Sequence, residues 1–316
     1  VKSRGKLICG VEGTIPGFSF VDSSGTYSGL DVDTCRAIAA AVFGTADDID
    51  SKIEFRNLDS TARFPALAGG EVDVLVRNTT WTLSRDAAGG NGLEFAPTTF
   101  YDGQGVMVTE ASGITSFAEL DGKSVCVETG TTTELNLASR AKEAGITVNE
   151  VKFQDSNAAT AAYGEGRCEA FTSDRSQLAA KRTSFPNPDE HILLEDVLSK
   201  EPLGPVTVNN DSQWFDVVKW VTFGLIQAEE FGITQANVEE MKASDNPDIQ
   251  NFLGIEGDLG SQLGLSNDFM VYAIEAAGNY GEVYERNVGE TSELKIDRGL
   301  NKLWTEGGLM YSPPFR

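Results

Sequence analysis

Histidine occurs once, at His191, and the four cysteines form no C-x-x-C pair, so the chain lacks the ligand set of a zinc site. It also lacks a Cys/His or Ser/His spacing that would pair a nucleophile with a base. Basic residues are scarce: 25 lysines and arginines stand against 48 aspartates and glutamates, and the formal net charge of −23 excludes attraction to nucleic acid or to anionic membrane surfaces. No apolar run approaches the length of a bilayer-crossing helix. The first residues carry no apolar run either, and the chain is expected to be a mature or trimmed form whose signal peptide has been removed. One glycine-threonine turn, Gly130-Thr-Thr-Thr133, is shaped for an anion but lacks the lysine of a phosphate-binding P-loop. No cofactor and no metal is therefore expected.

The stretch Asp73-Val-Leu-Val-Arg-Asn-Thr-Thr-Trp-Thr-Leu-Ser-Arg85 is the most informative. Val72, Val74 and Val76 supply β-branched positions at period two, and polar residues take over at Arg77 and Asn78, where a strand would leave a sheet. Thr79, Thr80 and Thr82 then offer hydroxyl and amide donors near Arg85, whose planar fork can grip a carboxylate through two parallel bonds. The same residues equally describe a helix N-cap followed by a surface arginine.

Two further fragments weigh on that choice. Ser124-Val-Cys-Val-Glu-Thr-Gly-Thr-Thr-Thr-Glu134 reads as a strand, a glycine turn and a helix whose free N–H groups form an anion site. Gly166-Arg-Cys-Glu-Ala-Phe-Thr-Ser-Asp174 is a short strand ending on an acid, placed to meet a cation or simply to cap the next helix. Two anion clamps with a carboxylate beyond them describe a receptor for a zwitterion, and an amino acid fits.

These stretches resemble the periplasmic solute-binding proteins of ABC amino-acid importers, family 3, in the general L-amino-acid-binding branch. The resemblance covers essentially the whole chain. It rests on Gly29-Leu-Asp-Val-Asp33, Cys35-Arg-Ala37, Gly70-Glu-Val-Asp-Val74, Arg77 to Asp86, Tyr101-Asp-Gly-Gln-Gly105, Gly130 to Leu137, Lys200-Glu-Pro-Leu-Gly-Pro205 and Pro313-Pro-Phe-Arg316. By resemblance, Arg85 grips the ligand α-carboxylate with Thr80 and Thr132, and Asp174 takes the α-ammonium. Asn78 or its carbonyl is a second ammonium acceptor, and Thr131 lies beside Thr132. Ile15 and Ser60 fall where basic-amino-acid binders carry stacking aromatics, which favours a roomier, less selective pocket. Glu12, Phe18, Arg63, Arg77 and Trp81 are further candidates to line it. The implied partners are an L-amino acid and a membrane permease, with the protein working as a monomer in the periplasm.

At 316 residues the chain is long enough for two domains with separate cores, and its alternating signals argue α/β layers. Strands are expected at Lys6–Val11, Ile53–Asn57 and Val72–Val76, with helices at Asp33–Phe43 and Thr61–Ala68. A second set follows: strands at Ser124–Glu128, Val151–Phe153, Glu169–Thr172 and His191–Glu195, with helices at Thr133–Ala144 and Asn157–Gly164. Val206–Val208 reads as a strand and Gln213–Glu230 as an amphipathic helix. The resemblance implies a two-lobed type II (Venus-flytrap) fold: lobe 1 from residues 1–107 plus 206–316, lobe 2 from 108–205, and hinges near 106–108 and 202–206. From Thr234 onward, where Thr234 reads as a helix cap, a helical extension is expected to pack on lobe 1.

Within those lobes, Cys9 and Cys35 share the first and Cys126 and Cys168 the second. Pairing inside each lobe leaves the hinge free, and an oxidising periplasm permits it; four buried reduced thiols are the alternative. Two competing classes share such a cleft. One is an enzyme of the cyclohexadienyl-dehydratase kind, for which Glu12 is the only spare carboxylate near the clamps; the other is a sensor domain.

Overall fold

The computed structural model describes residues 1–316. Its first strand, β1 (Leu7–Val11), is buried along its whole length. A small antiparallel meander follows, β2 (Thr14–Ile15), β3 (Ser19–Val21) and β4 (Tyr27–Ser28). The chain then turns into the helix Leu30–Phe43 through Gly29, at φ 125, where a Cβ would lie 2.1 Å from the Phe18 carbonyl oxygen. Only glycine fits there. Strands β5 (Ile53–Asn57), β6 (Val74–Leu75) and β7 (Leu93–Phe95) complete this first pass. Next come β8 (Phe100–Asp102) and β9 (Gln104–Thr109), then β10 (Ser124–Glu128), β11 (Asn149–Phe153), β12 (Ala170–Asp174) and β13 (His191–Leu193). The return is made by β14 (Glu201–Leu203) and β15 (Val206–Val208), and the long helix Ser212–Glu230 follows.

These strands build two five-stranded sheets of one design, β5-β1-β6-β15-β7 and β11-β10-β12-β9-β13. In each, the first three strands run parallel and the fourth runs antiparallel to them. That fourth strand is the one that has crossed over: β9 enters the second sheet, and β15 re-enters the first. Both faces of each sheet are covered by apolar packing, as parallel strands require. This is the two-lobed α/β architecture expected. The crossings themselves are β8 and β14, which pair as an antiparallel ribbon with Glu201 opposite Asp102. Val106–Val108, the expected first hinge, lies inside β9 and is hydrogen-bonded to β12 and β13. The strand expected over Val72–Val76 narrows to β6 because Asn78 turns the chain into the left-handed region at φ 41.

Five helices occupy the tail, at Val238–Met241, Pro247–Phe252, Leu259–Gln262, Phe269–Ala277 and Tyr280–Asn287. Thr234 caps the turn that leads into the first of them, as expected: its hydroxyl accepts the Asn237 N–H at 3.2 Å, its carbonyl accepts the Val238 N–H, and its own N–H donates to the Asn237 side chain. The tail shares one apolar core with Leu30–Phe43 and Ser212–Glu230, and Arg286 reaches Asp33 while Arg298 reaches Glu229. Disulfides join Cys9 to Cys35 and Cys126 to Cys168, one per lobe, and no cysteine is free. No helix is long and apolar enough to cross a membrane.

Candidate functional site

In open α/β sheets ligands meet the carboxyl ends of the strands. Four such ends converge here: β1 leads into Glu12, β6 into Arg77–Thr80, β10 into Thr131–Thr132, and β12 ends on Asp174. The first lobe contributes three guanidiniums that are almost wholly buried, Arg63, Arg77 and Arg85, at 2%, 4% and 7% exposure. Thr82 does cap the short helix Leu83–Asp86, accepting the Arg85 N–H at 3.3 Å, so the N-cap reading is right about the backbone. It is wrong about the side chain. The Arg85 guanidinium is inside, where its Nη1 donates to the Thr80 carbonyl at 2.8 Å and finds no other acceptor. Arg63 and Arg85 both lie against the Phe64 ring, 4.8 and 5.1 Å from its centroid. The Thr80 N–H has no acceptor in the chain, although its neighbours Trp81 and Gly204 are tied to Pro202 and Thr79.

On the second lobe Asp174 stands at the N-cap of the helix Arg175–Arg182 but takes no capping bond. Its Oδ1 is buried without a partner, so capping does not account for it. Between the lobes, Glu201 on β14 accepts from Thr80 at 2.5 Å, from Thr132 at 2.8 Å, from Asn136 at 2.8 Å and from Ser199. One carboxylate thus joins a hydroxyl of each lobe. Further contacts cross the cleft: Arg77 to Glu128 at 3.3 Å, Ser60 to the Thr129 carbonyl at 2.6 Å, and Lys181 to the Thr14 carbonyl at 2.7 Å.

Burial dominates the electrostatics. It raises the Asp174 carboxyl well above the usual range, reinforced by the neighbouring charges of Asp102 and Glu201 and opposed by Arg63 and Arg85. It lowers Arg85 to about 10, against the pull of Glu201 and Asp174. Asp31 is raised to about 7, also by burial, despite accepting the Asn78 N–H. Each of these groups gains from a partner of opposite charge.

Of the residues expected at the site, Thr80 and Thr132 meet at 3.4 Å across the lobes, Arg85 and Asp174 lie near enough for their charges to interact, and Asn78 stands just beyond β6. Thr131 is spent on capping: it accepts the Glu134 N–H and donates to the Glu128 carbonyl. Glu12 folds back onto Thr14. Arg77 is the cross-lobe ion pair already described. Two candidates are elsewhere: Phe18 packs edge-on against Phe100 in the core, and Trp81 is 45% exposed and stacks on Phe95. Glu201 and Asp102 escaped the sequence reading altogether. The only traces were the Tyr101–Gly105 and Lys200–Pro205 stretches, noted for resemblance and given no role.

A buried cation thus stands on one lobe and a buried acid on the other, with the β8–β14 ribbon between the lobes. The chain belongs to the bacterial extracellular solute-binding proteins, family 3, whose model it matches over residues 7–290. It is 51% identical to the general L-amino acid-binding periplasmic protein AapJ of Rhizobium johnstonii, across 100% of this chain and 92% of that one. It is 48% identical to the glutamate/glutamine/aspartate/asparagine-binding protein BztA of Rhodobacter capsulatus, at the same coverage of 100% and 92%. Among solved structures, a periplasmic binding protein from Brucella ovis with glutathione bound superposes with a TM-score of 0.96 at 49% identity, covering 100% of this chain and 98% of that one.

Proposed function

We propose that the chain is the periplasmic ligand-binding component of an ABC amino-acid importer, taking L-amino acids broadly in the cleft as a monomer and handing them to a membrane permease. The observation that carries this is the opposition of Arg85 and Asp174, each buried, the one with a single acceptor and the other with an unpartnered oxygen. A zwitterion answers both. The Thr80 N–H and the start of the helix Thr132–Ala144 add donors at the carboxylate end. Breadth is supported by Ile15, fully buried in the core, and Ser60, bonded to Thr129, which place no aromatic face in the pocket. The β8–β14 ribbon is the proposed hinge, with the first lobe ending near Asp102 and resuming near Pro205. Against an enzyme reading, His191 is bonded to Tyr163 and Glu12 accepts from the Thr14 N–H and hydroxyl.

A second reading has one observation in its favour. A cavity of about 670 Å³ opens between the lobes, lined by Gly13, Thr14 and Phe20 on one side and Asn157, Lys181 and Phe185 on the other. No clamp residue lines it, so in this reading it would take the part of a larger ligand, such as the glutathione bound to the Brucella protein, that extends beyond the clamp. Titration calorimetry tests both readings. L-amino acids should bind, and their α-amides and N-acetyl derivatives should bind far more weakly; equal binding of a blocked ligand would refute the zwitterion clamp.

A further inference from the structure

We infer that Gln104 completes the ammonium end of the cleft, where with Asp174 and Asn78 it supplies one acceptor for each of three N–H bonds, so that the site selects primary amines over N-alkylated ones. The inference rests on the zwitterion reading and adds to it a residue and a selectivity that the opposition of Arg85 and Asp174 does not require.

Gln104 opens β9 and is fully buried. Its Nε2 donates to the Thr133 carbonyl and to the Thr172 hydroxyl, both at 2.9 Å. A carbonyl can only accept, and the Thr172 hydroxyl has already given its proton to the Gly105 carbonyl at 2.7 Å. Both partners therefore require an N–H, which fixes the amide against a flip and makes Oε1 the atom left over. That oxygen is buried with no partner in the chain. Gln104 stands directly opposite Asp174 in the antiparallel β9–β12 ladder, and residues so paired put their side chains on one face with Cβ atoms about 4.5–5.5 Å apart. The Asp174 Oδ1 is a second buried oxygen without a partner. Asn78, on the other lobe, holds the third: both polar atoms of its amide are buried and unmet, so an orphaned acceptor is present whichever way the amide is turned.

Buried polar groups are nearly always paired, and three orphaned acceptors call for donors that the chain does not supply. A carboxylate brings none, and a water molecule brings two protons for three oxygens. An α-ammonium group brings three N–H bonds, one each for Gln104, Asp174 and Asn78. Replacing one of its hydrogens by a methyl group leaves an acceptor buried against carbon, the mismatch that sites built to hydrogen-bond a ligand's N–H reject most strongly. Strictness at the nitrogen is independent of breadth at the side chain.

The test is calorimetry on the full chain with L-alanine and L-glutamate, each against its N-methyl derivative, on the parent, Gln104→Met and Gln104→Glu. Methionine keeps the length and loses the acceptor, whereas glutamate keeps an oxygen in place. A thermal melt checks that each variant folds. The parent should bind the primary amine at least about tenfold more tightly than the N-methyl ligand. In Gln104→Met that ratio should fall toward one, because the methyl group can then point at an apolar side chain, and in Gln104→Glu it should persist. If Gln104→Met does not fold, Asn78→Gly, which tolerates the backbone at φ 41, removes the third acceptor and should lower the same ratio. A parent that binds both forms alike overturns the inference while leaving the clamp of Arg85 and Asp174 standing. So does a ratio that survives loss of the acceptor, as a purely structural Gln104 or a steric clash with the methyl group would give. Failure of alanine and glutamate alike to bind the parent would instead remove the reading of broad zwitterion binding itself.

Discussion

Arg85 and Asp174 are buried charges that the folded chain leaves short of partners, and that shortage is what a ligand would exploit. Replacing Arg85 with alanine should weaken amino-acid binding by roughly 2–5 kcal/mol, because the ligand carboxylate would then be desolvated and unpaired. A loss under about 1 kcal/mol by calorimetry would show that the clamp lies elsewhere. Asp31 offers a separate test through stability. Its carboxyl is raised by burial to about 7, so between about pH 4 and 7 the unfolded chain releases this proton while the folded one keeps it. Stability should therefore fall as pH rises through that window, by on the order of 4 kcal/mol from this group, and level off above it. Asp31→Asn should flatten the decline in denaturant melts across pH; an unchanged slope would remove Asp31 as its source.

At the scale of elements, local pattern carried the reading a long way. Leu7–Val11, Ile53–Asn57 and Ser124–Glu128 are strands because β-branched and apolar residues sit together between turn signals, and Gly44 and Gly145 stop their helices in the left-handed region. Asn78 and Asp174 stand out for the same reason, at or just beyond the ends of recognisable strands, whereas Arg85 lies on a short helix further on. What escaped depends on partners far along the chain. Glu201 is 121 residues from Thr80, and nothing about Lys200-Glu-Pro-Leu203 marks its glutamate as the acceptor of both lobes' hydroxyls. Val106–Val108 reads as a crossing because the place of β9 in the second sheet is set by β12 and β13, which come much later. Trp81 and Phe18 were candidates by nearness in sequence, yet backbone direction put one on the surface and the other in the core. The disulfides belong to this scale as well. They close spans of 26 and 42 residues, and each should contribute roughly 3–4 kcal/mol by constraining the unfolded chain. Since neither crosses the hinge, reduction should lower the melting temperature while ligand affinity, measured on the still-folded protein, stays within a few fold. A large affinity loss at a temperature where the fold persists would mean that a bridge also positions the cleft.

The whole molecule is lopsided. The first lobe and the tail share a core of 46 buried residues, whereas the second sheet packs between clusters of 12 and 8. On the proposed β8–β14 hinge, the smaller lobe would be the part that swings. Because Arg85 and Thr80 lie on one side of that ribbon and Thr132 and Asp174 on the other, a ligand touching all four favours the closed shape over the open one, and such differential affinity is what shifts the equilibrium. Solution scattering should show a slightly smaller radius of gyration with saturating ligand. An unchanged profile at full calorimetric occupancy would mean that the cleft is preformed.

The placement of Phe315 has a consequence for how the chain is made. Its ring lies 5.1 Å from Trp220 and 5.0 Å from Phe252, buried in the same core that encloses β1. The first lobe therefore joins β1 to residues around Phe315, far apart in the chain, and cannot complete its packing until both are present. The second lobe, uninterrupted between Gln104 and Leu198, can finish while the first still waits. During synthesis or export the chain passes through a stage with one lobe complete and the other open along an apolar face, and in that interval a holding chaperone would have its surface to grip.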